Sequence, residues 1–400
     1  MVLTFDLGAF FQTLLFGAGK IVAGLIVLTG PLAPQSLPAA TTTRPINPWA
    51  IPQRLNVGEI VSTLNPVRPI ETKPEVSVPN VAPAPRSSTP APAITPSPSP
   101  VPAPTPVPAP VPLAPAPEDL NAAVRGATVN VLCVATAGSP MRSVSGSGVV
   151  MDSRGVVLTN AHVVQGLLLK DYPSKGSVEC VIRTGSPARA LYTTKLLYIS
   201  KQWVAENAPQ LLSSTPVGTG QNDYALLLIA GRTDATASLP ASFEYLRPDA
   251  ARVSLGEQMF LCAYPASLLG SISAATQLYA STAYASVAQT FSFTPGRTDT
   301  DLFSVGGTVV AQGGSSGGAA VRASNGTLAG IFVTAIEGST TGTSDLRALA
   351  ISSIDAALHA EGENGLLGAL SGDLSAKAAA FNAGFAPALA QLLLNVIQGR

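Results

Sequence analysis

Set out as apolar against polar positions, the chain changes texture three times. An apolar stretch runs from Leu7 to Thr29, broken only by Gln12 and Lys20. Its length matches the roughly 20 residues needed to cross a bilayer. Lys20 near its middle would cost about 2.5–3.5 kcal/mol on insertion, less if the side chain snorkels. The residues before it carry Asp6 and no Lys or Arg, and no clean small-x-small cleavage site follows. Residues 1–30 therefore read as a hydrophobic helix serving as a membrane anchor, with a cleaved signal segment as the alternative and a buried soluble helix as the third reading. The first two place the remainder outside the cytoplasm, membrane-anchored or secreted.

Over residues 31–118 the apolar periodicity disappears. Of the chain's 35 prolines, 25 fall between Pro31 and Pro117, and from Thr89 onward proline recurs at nearly every second position. Proline removes the backbone donor that helices and ladders use and pushes its predecessor into extended geometry. The segment reads as a disordered spacer of polyproline character. About thirty residues of that helix would span on the order of 90 Å.

Short apolar runs separated by Gly, Asp, Asn and Ser then take over, and the expected domain covers residues 119–358. Six predicted strands are Val129 to Ala135, Ser147 to Met151, Val156 to Asn160, Val178 to Arg183, Ala190 to Ile199 and Tyr224 to Ala230. A second series is Gln258 to Ala263, Ala275 to Ala288, Leu302 to Ala311, Ala319 to Ala323, Thr327 to Thr334 and Ala348 to Ile354. Asp152-Ser153-Arg154-Gly155 and Asn325-Gly326 lie between such runs as hairpin signals. Many short strands without alternating helices predict an all-β barrel or sandwich. Residues 359–400 form an alanine- and leucine-rich tail, predicted helical over Ala376 to Ala380 and Ala388 to Gln398. There Leu389, Leu392, Leu393 and Val396 make one apolar stripe that would pack on the barrel.

Composition narrows the chemistry. Charged residues are 12% of the chain, and 23 basic residues balance 23 acidic ones. With no basic surplus to neutralise phosphates, nucleic acid is not an expected partner. The two histidines, His162 and His359, exclude a multi-histidine metal site, and nothing calls for a metal or organic cofactor. Acid–base chemistry near neutrality must come from a short list of groups.

Three segments carry such chemistry. His162 ends the apolar strand Leu158-Thr159-Asn160-Ala161. Asn222-Asp223 stands at the mouth of the buried run Tyr224 to Ile229. Ser316 lies in the turn Gly313-Gly314-Ser315-Ser316-Gly317-Gly318. Acyl transfer by serine needs a base, a carboxylate to fix that base's tautomer, and backbone donors aimed at an oxyanion. The glycines permit a turn that points the N–H groups of Gly314 and Ser316 into one hole.

These segments, with Ser145-Gly146-Ser147-Gly148-Val149-Val150 upstream and Gly330-Ile331 downstream, resemble trypsin-like serine proteases, most closely the bacterial HtrA/Deg-type branch. The likeness covers Thr128 to Leu358. It implies two six-stranded antiparallel barrels of the chymotrypsin-like fold, with His162 as general base, Asp223 as its orienter and Ser316 as nucleophile of a serine endopeptidase. Protein or peptide substrates follow. The same likeness places the walls of the primary substrate pocket near Val310, Ala311, Gln312, Val333, Thr334 and Ala335. None of these is charged, which predicts a small or medium apolar side chain at the cleaved position. It also makes the strands of Cys133 and Cys180 neighbours, so a cross-strand disulfide is a hypothesis, while Cys262 reads as a small buried hydrophobe.

Departures from the family pattern are informative. Ser315 replaces the aspartate that, in animal digestive members, pairs with a newly cut N-terminus, leaving open what keeps the oxyanion hole formed. An extra loop, Gln202 to Gly220, is expected to border the cleft. About 40 residues follow the barrels, too few for a PDZ module. The rival α/β-hydrolase elbow, Gly-x-Ser-x-Gly, would need a helix directly after Ser316 and would recruit His359, which otherwise reads as a solvated helix-end residue. The alternative from another class is a catalytically inactive binding or structural module displayed on the spacer.

Overall fold

Proline at the start, Glu118 and Asp119 in the first turn and Arg125 in the last favour a helix over Pro117–Ala127, and α1 forms there. The strand pattern does not predict it. It opens the continuous part of a computed structural model that describes residues 4–5, 116–213, 217–266, 276–336 and 344–400. The hydrophobic segment Leu7 to Thr29 and the proline-rich spacer before residue 116 lie outside the described residues.

Six strands build the first barrel: β1 Thr128–Ala135, β2 Ser143–Asp152, β3 Val156–Thr159, β4 Val178–Thr184, β5 Arg189–Ile199 and β6 Ala225–Arg232. Antiparallel pairing runs β2-β1-β4-β5-β6-β3, and a β2–β3 pairing closes the ring. The Asp152 to Gly155 turn makes that hairpin, with Gly155 at φ 85°. A two-residue strand, Thr4–Phe5, adds to β2 at Val144 and Ser143. Valine, leucine and isoleucine from every strand, among them Val131, Val149, Leu158, Ile182, Ile199 and Leu226, fill the interior and are fully buried. Cys133 and Cys180 face each other in the β1–β4 register and are joined by a disulfide.

The second sheet holds β7 Gln258–Ala263, β8 Ser281–Ser286, β9 Gln289–Phe291, β10 Leu302–Ser304, β11 Ala319–Arg322, β12 Leu328–Ile336 and β13 Asp345–Ala350. Its order is β9-β10-β13-β12-β11-β7-β8, all antiparallel. Among the described residues the sheet curls into a half-barrel, and Val287 and Ala288, bonded to Glu257 and Ser304, carry the chain directly from β8 at one end of this order to β9 at the other. The paired antiparallel sheets expected from the sequence are thus present, with three boundary changes. The run Ala275 to Ala288 keeps only β8, its first residue lying outside the described ones. The run Leu302 to Ala311 stops at Ser304, because Gly306, at φ 67°, turns the chain away. The run Ala348 to Ile354 changes at Ile351 to a helix, Ile351–Ala360 (α4). There Ile351, Ile354 and Leu358, at 3- and 4-residue spacing, are all buried.

In strict chain order the helices after α1 are α2 Ala161–Val164, α3 Lys201–Asn207, α4, α5 Gly365–Ala369, α6 Leu374–Gly384 and α7 Ala386–Ile397. The tail packs on the first barrel as the apolar stripe predicts: Leu389 and Leu393 are fully buried, Leu392 and Val396 partly so. Asn382 Nδ2 donates to the Leu196 carbonyl of β5 at 2.7 Å. Glu361, between α4 and α5, is buried against the barrel. Its carboxylate accepts hydrogen bonds from Tyr198 Oη (2.6 Å), Ser200 Oγ (2.6 Å) and the Lys201 N–H (2.9 Å). No described helix is by itself long and apolar enough to cross a membrane.

Candidate active site

The strand β3 delivers His162. All four of its residues are buried, the chain turns at Asn160, and α2 begins at once, so His162 stands on a first helical turn just past the strand end. Asn160 is fully buried and its Nδ2 donates to the Asp223 carbonyl at 2.8 Å, tying the two segments together.

Asp223 arrives from the other side. Gly220 at φ 83° and Asn222 at φ 58° turn the chain into β6, and asparagine is among the few non-glycine residues that tolerate that geometry. The expected loop Gln202 to Gly220 before it begins as helix α3, capped by Ser200, and a 3-10 turn, Ala208–Gln210. Asp223 then holds His162 with both oxygens. Oδ1 accepts the His162 backbone N–H at 3.0 Å, and Oδ2 lies 2.6 Å from Nδ1. The two side chains are only 14% and 7% exposed. With its proton on Nδ1, the ring donates to Asp223 and leaves Nε2 as an acceptor, and Nε2 is buried with no hydrogen-bond partner.

Ser316 comes from the second sheet, in the turn between Gln312 and β11. Every carbonyl from Gly313 to Ser316 is held. The Gly313 oxygen accepts from the Ala266 N–H (2.8 Å), the Gly314 oxygen from Ser147 Oγ (2.8 Å), the Ser315 oxygen from the Gly318 N–H (2.8 Å) and the Ser316 oxygen from the Ser147 N–H (2.7 Å). The Ser315 N–H donates to the Gln312 carbonyl and the Gly317 N–H to that of Phe332. The N–H groups of Gly313, Gly314 and Ser316 make no hydrogen bond to a described residue, and the last two are those expected to line the hole. A trans peptide points its N–H opposite its carbonyl, so pinning the Gly313 and Ser315 oxygens also aims these two N–H groups. Gly314, at φ 95°, has no room for a side chain, since a Cβ would stand 2.8 Å from the Ala266 nitrogen. At Gly317 a Cβ would stand 2.1 Å from the Ser147 oxygen.

The structure therefore joins His162 directly to Asp223 and brings the Ser316 turn onto the barrel that carries them. Gly146 marks the approach, with Val163 side-chain atoms 2.7 Å and the Ser316 carbonyl oxygen 3.3 Å from where its Cβ would be. Ser316 Oγ makes no hydrogen bond with a described residue. Of the expected pocket residues, Val310 and Ala311 are buried in the core of the second sheet, Gln312 is half-buried with Nε2 donating to the Val309 carbonyl, and Val333 is buried. Val333 packs near Gly220, its Cγ2 being 2.8 Å from a Cβ built there. The backbones of Thr334 and Ala335 pair with Arg347 and Leu346, and their side chains lie outside the described residues. His359 ends α4 with its side chain 59% exposed. After Ser316 comes β11, the Asn325-Gly326 turn and β12, so the hydrolase elbow with its following helix is absent. Sequence reasoning missed Ser147 as a site residue. It lies within a quoted motif, but nothing in that motif says what its hydroxyl touches.

Residues 146–331 match the family model of the trypsin-like peptidase domain. That interval includes His162, Asp223 and Ser316. No curated protein sequence matches the chain. Among solved structures, the crystal structure of Deg5 is similar over 59% of this chain and 89% of its own, at 15% identity and a TM-score of 0.38. On the family match and the two antiparallel sheets that surround the matched residues, the chain carries a trypsin-like peptidase domain with a chymotrypsin-like fold.

Proposed function

We propose that the domain is a serine endopeptidase working through an acyl-enzyme, with Ser316, His162 and Asp223 as its triad. The observation that carries the reading is the two-handed hold of Asp223 on His162, which leaves Nε2 as a buried, free acceptor. In this reading His162 Nε2 takes the Ser316 Oγ proton as that oxygen attacks the scissile carbonyl. The tetrahedral oxyanion accepts from the Gly314 and Ser316 N–H groups. Collapse breaks the C–N bond, and the imidazolium returns its proton to the leaving amine. Water then repeats the sequence and releases the acid. Apo sites of this kind tighten only with substrate, so the missing Ser316–His162 bond is compatible with the mechanism.

Labelling with a fluorophosphonate probe tests it: wild type should be phosphonylated at Ser316, and Ser316→Ala should not. Labelling that persists in the variant rejects the assignment. A folded wild type that never labels favours the inactive binding module instead.

Substrate preference and location complete the proposal. Uncharged residues around Val310 to Gln312 and Val333 to Ala335 favour a small or medium apolar side chain at the cleaved position, and a peptide panel cut best after Arg or Lys would overturn that. Action outside the cytoplasm, tethered through residues 1–30 and held off the membrane by the spacer, is supported by the Cys133–Cys180 disulfide, since such bonds persist in oxidising compartments. Resistance of the domain to added protease in intact cells would argue against it.

A further inference from the structure

We propose that Ser147 of the first barrel is a positioning residue that keeps the oxyanion hole formed; this rests on the peptidase reading of the site. Ser147 is fully buried, and its hydroxyl has two partners, both in the second half of the domain. It lies 2.9 Å from the Tyr264 nitrogen and 2.8 Å from the Gly314 oxygen. The Tyr264 N–H can only donate, so the single hydroxyl proton goes to Gly314 and the direction of both bonds is settled. The backbone of Ser147 adds a third contact, its N–H to the Ser316 oxygen, and a fourth, its carbonyl accepting from Thr159 Oγ1 at 2.7 Å. Thr159 is the last residue of the strand that delivers His162.

One residue thus grips the carbonyls of Gly314 and Ser316, fixing the peptide that follows each of the two hole residues, and is itself fixed to the histidine's strand. The peptide between Gly314 and Ser315 is held at both ends, by Ser147 Oγ on its oxygen and the Gln312 carbonyl on its N–H. Ser315 contributes no pin through its own side chain, because its hydroxyl is buried without a partner. With Ser147 reduced to alanine, the Gly314 oxygen becomes a buried acceptor with nothing to accept. Turning that carbonyl to find another donor changes ψ of Gly314 and φ of Ser315, and so shifts the Ser315–Ser316 peptide that carries one of the hole's N–H groups. The open question of what forms the hole in the absence of an aspartate at Ser315 is answered by a hydroxyl reaching across from the other barrel.

The test uses the full chain as Ser147→Ala, with Ser147→Cys, which keeps volume but is a weak donor, as the second variant should the first not fold. Turnover is counted per phosphonylated site so that an unfolded fraction does not enter. Expected is a fall in kcat of about 10- to 100-fold with KM nearly unchanged, and an equal loss of affinity for a peptidyl boronic acid, whose tetrahedral adduct uses the hole. Hydrogen–deuterium exchange should speed up at the amides of Ser315, Gly317 and Gly318, with the rest of the domain unchanged. Wild-type kcat in the variant overturns the proposal, and so does unchanged exchange in that turn. Exchange does not need turnover, so if wild type is not phosphonylated the peptidase reading fails while the grip of Ser147 on the turn is still decided.

Discussion

In the first barrel six strands close on themselves, a disulfide crosses from β1 to β4, and helices α6 and α7 lie against its outer face near the buried Glu361. In the second sheet seven shorter strands curl into a half-barrel, its cysteine Cys262 is free and buried, and an ion cluster of Arg322 with Asp249 and Glu257 ties β11 to the loops before β7. The site is divided the same way. His162 and Asp223 belong to one closed unit, and their contact is settled within it by two hydrogen bonds. Ser316 belongs to the second sheet, and its turn is fixed by reaching across to Ser147. The pairing of His162 with Asp223 is thus local, whereas the placing of Ser316 and of the Gly314 and Ser316 N–H groups depends on how the two halves meet.

Three experiments press on that contrast, beginning with the largest effect. Asp223→Asn keeps the shape of the local pair but reverses the donor facing Nδ1. It should lower kcat by about 10⁴-fold with the fold intact, because the ring is then held in the wrong tautomer. Steady-state kinetics beside circular dichroism checks this, and a variant within tenfold of wild type would contradict the role given to Asp223.

Next comes the covalent link found only in the first barrel. Replacing Cys133 and Cys180 by alanine opens a loop closed at a sequence separation of 47 and should remove about 2–5 kcal/mol of stability, read from denaturant midpoints. Thiol counting separates the halves directly. Burial pushes the Cys262 thiol up to about 11, so it stays protonated and unreactive in the folded protein. Unfolding without reductant should expose one thiol and with reductant three. Three without reductant would remove the disulfide.

The smallest effect is a pH dependence centred on Glu361. Burial first, and the negative charge of Glu361 second, push the phenols of Tyr198 and Tyr224 well above their usual range. Their folded values exceed the unfolded value of about 10, so their contribution is complete below pH 10 and is lost as pH rises toward the folded values. Denaturant midpoints should therefore fall above about pH 10. A profile flat through pH 11 would show that the two rings are not held as neutral groups.

Much of this was legible beforehand for identifiable reasons. Strands β1 to β6 follow from alternating or continuous apolar runs between turn residues, and the tail from the Leu389, Leu393 and Val396 spacing. The choice of His162, Asp223 and Ser316 rests on motifs in the order and spacing of trypsin-like proteases, and of that choice the structure shows the contact of His162 with Asp223. Helix α1 was legible in principle, since Pro117, Glu118, Asp119 and Arg125 are in helix-terminal positions. The change from strand to helix at Ile351 was hidden because Ala348 to Ile354 is apolar in either period.

By itself the amino-acid sequence determined the residue types, their order and the local elements: an antiparallel β domain, a histidine at a strand end, an aspartate before a buried strand, a serine among glycines. These follow from short-range chemistry, in which each residue's preference depends on its neighbours along the chain. Only the tertiary structure decided that Cys133 meets Cys180, that Glu361 is buried under Tyr198 and Ser200, and that Ser147 grips a carbonyl 167 residues away. Such contacts depend on which buried donors and acceptors come face to face when the two halves close, and a one-dimensional pattern does not encode that.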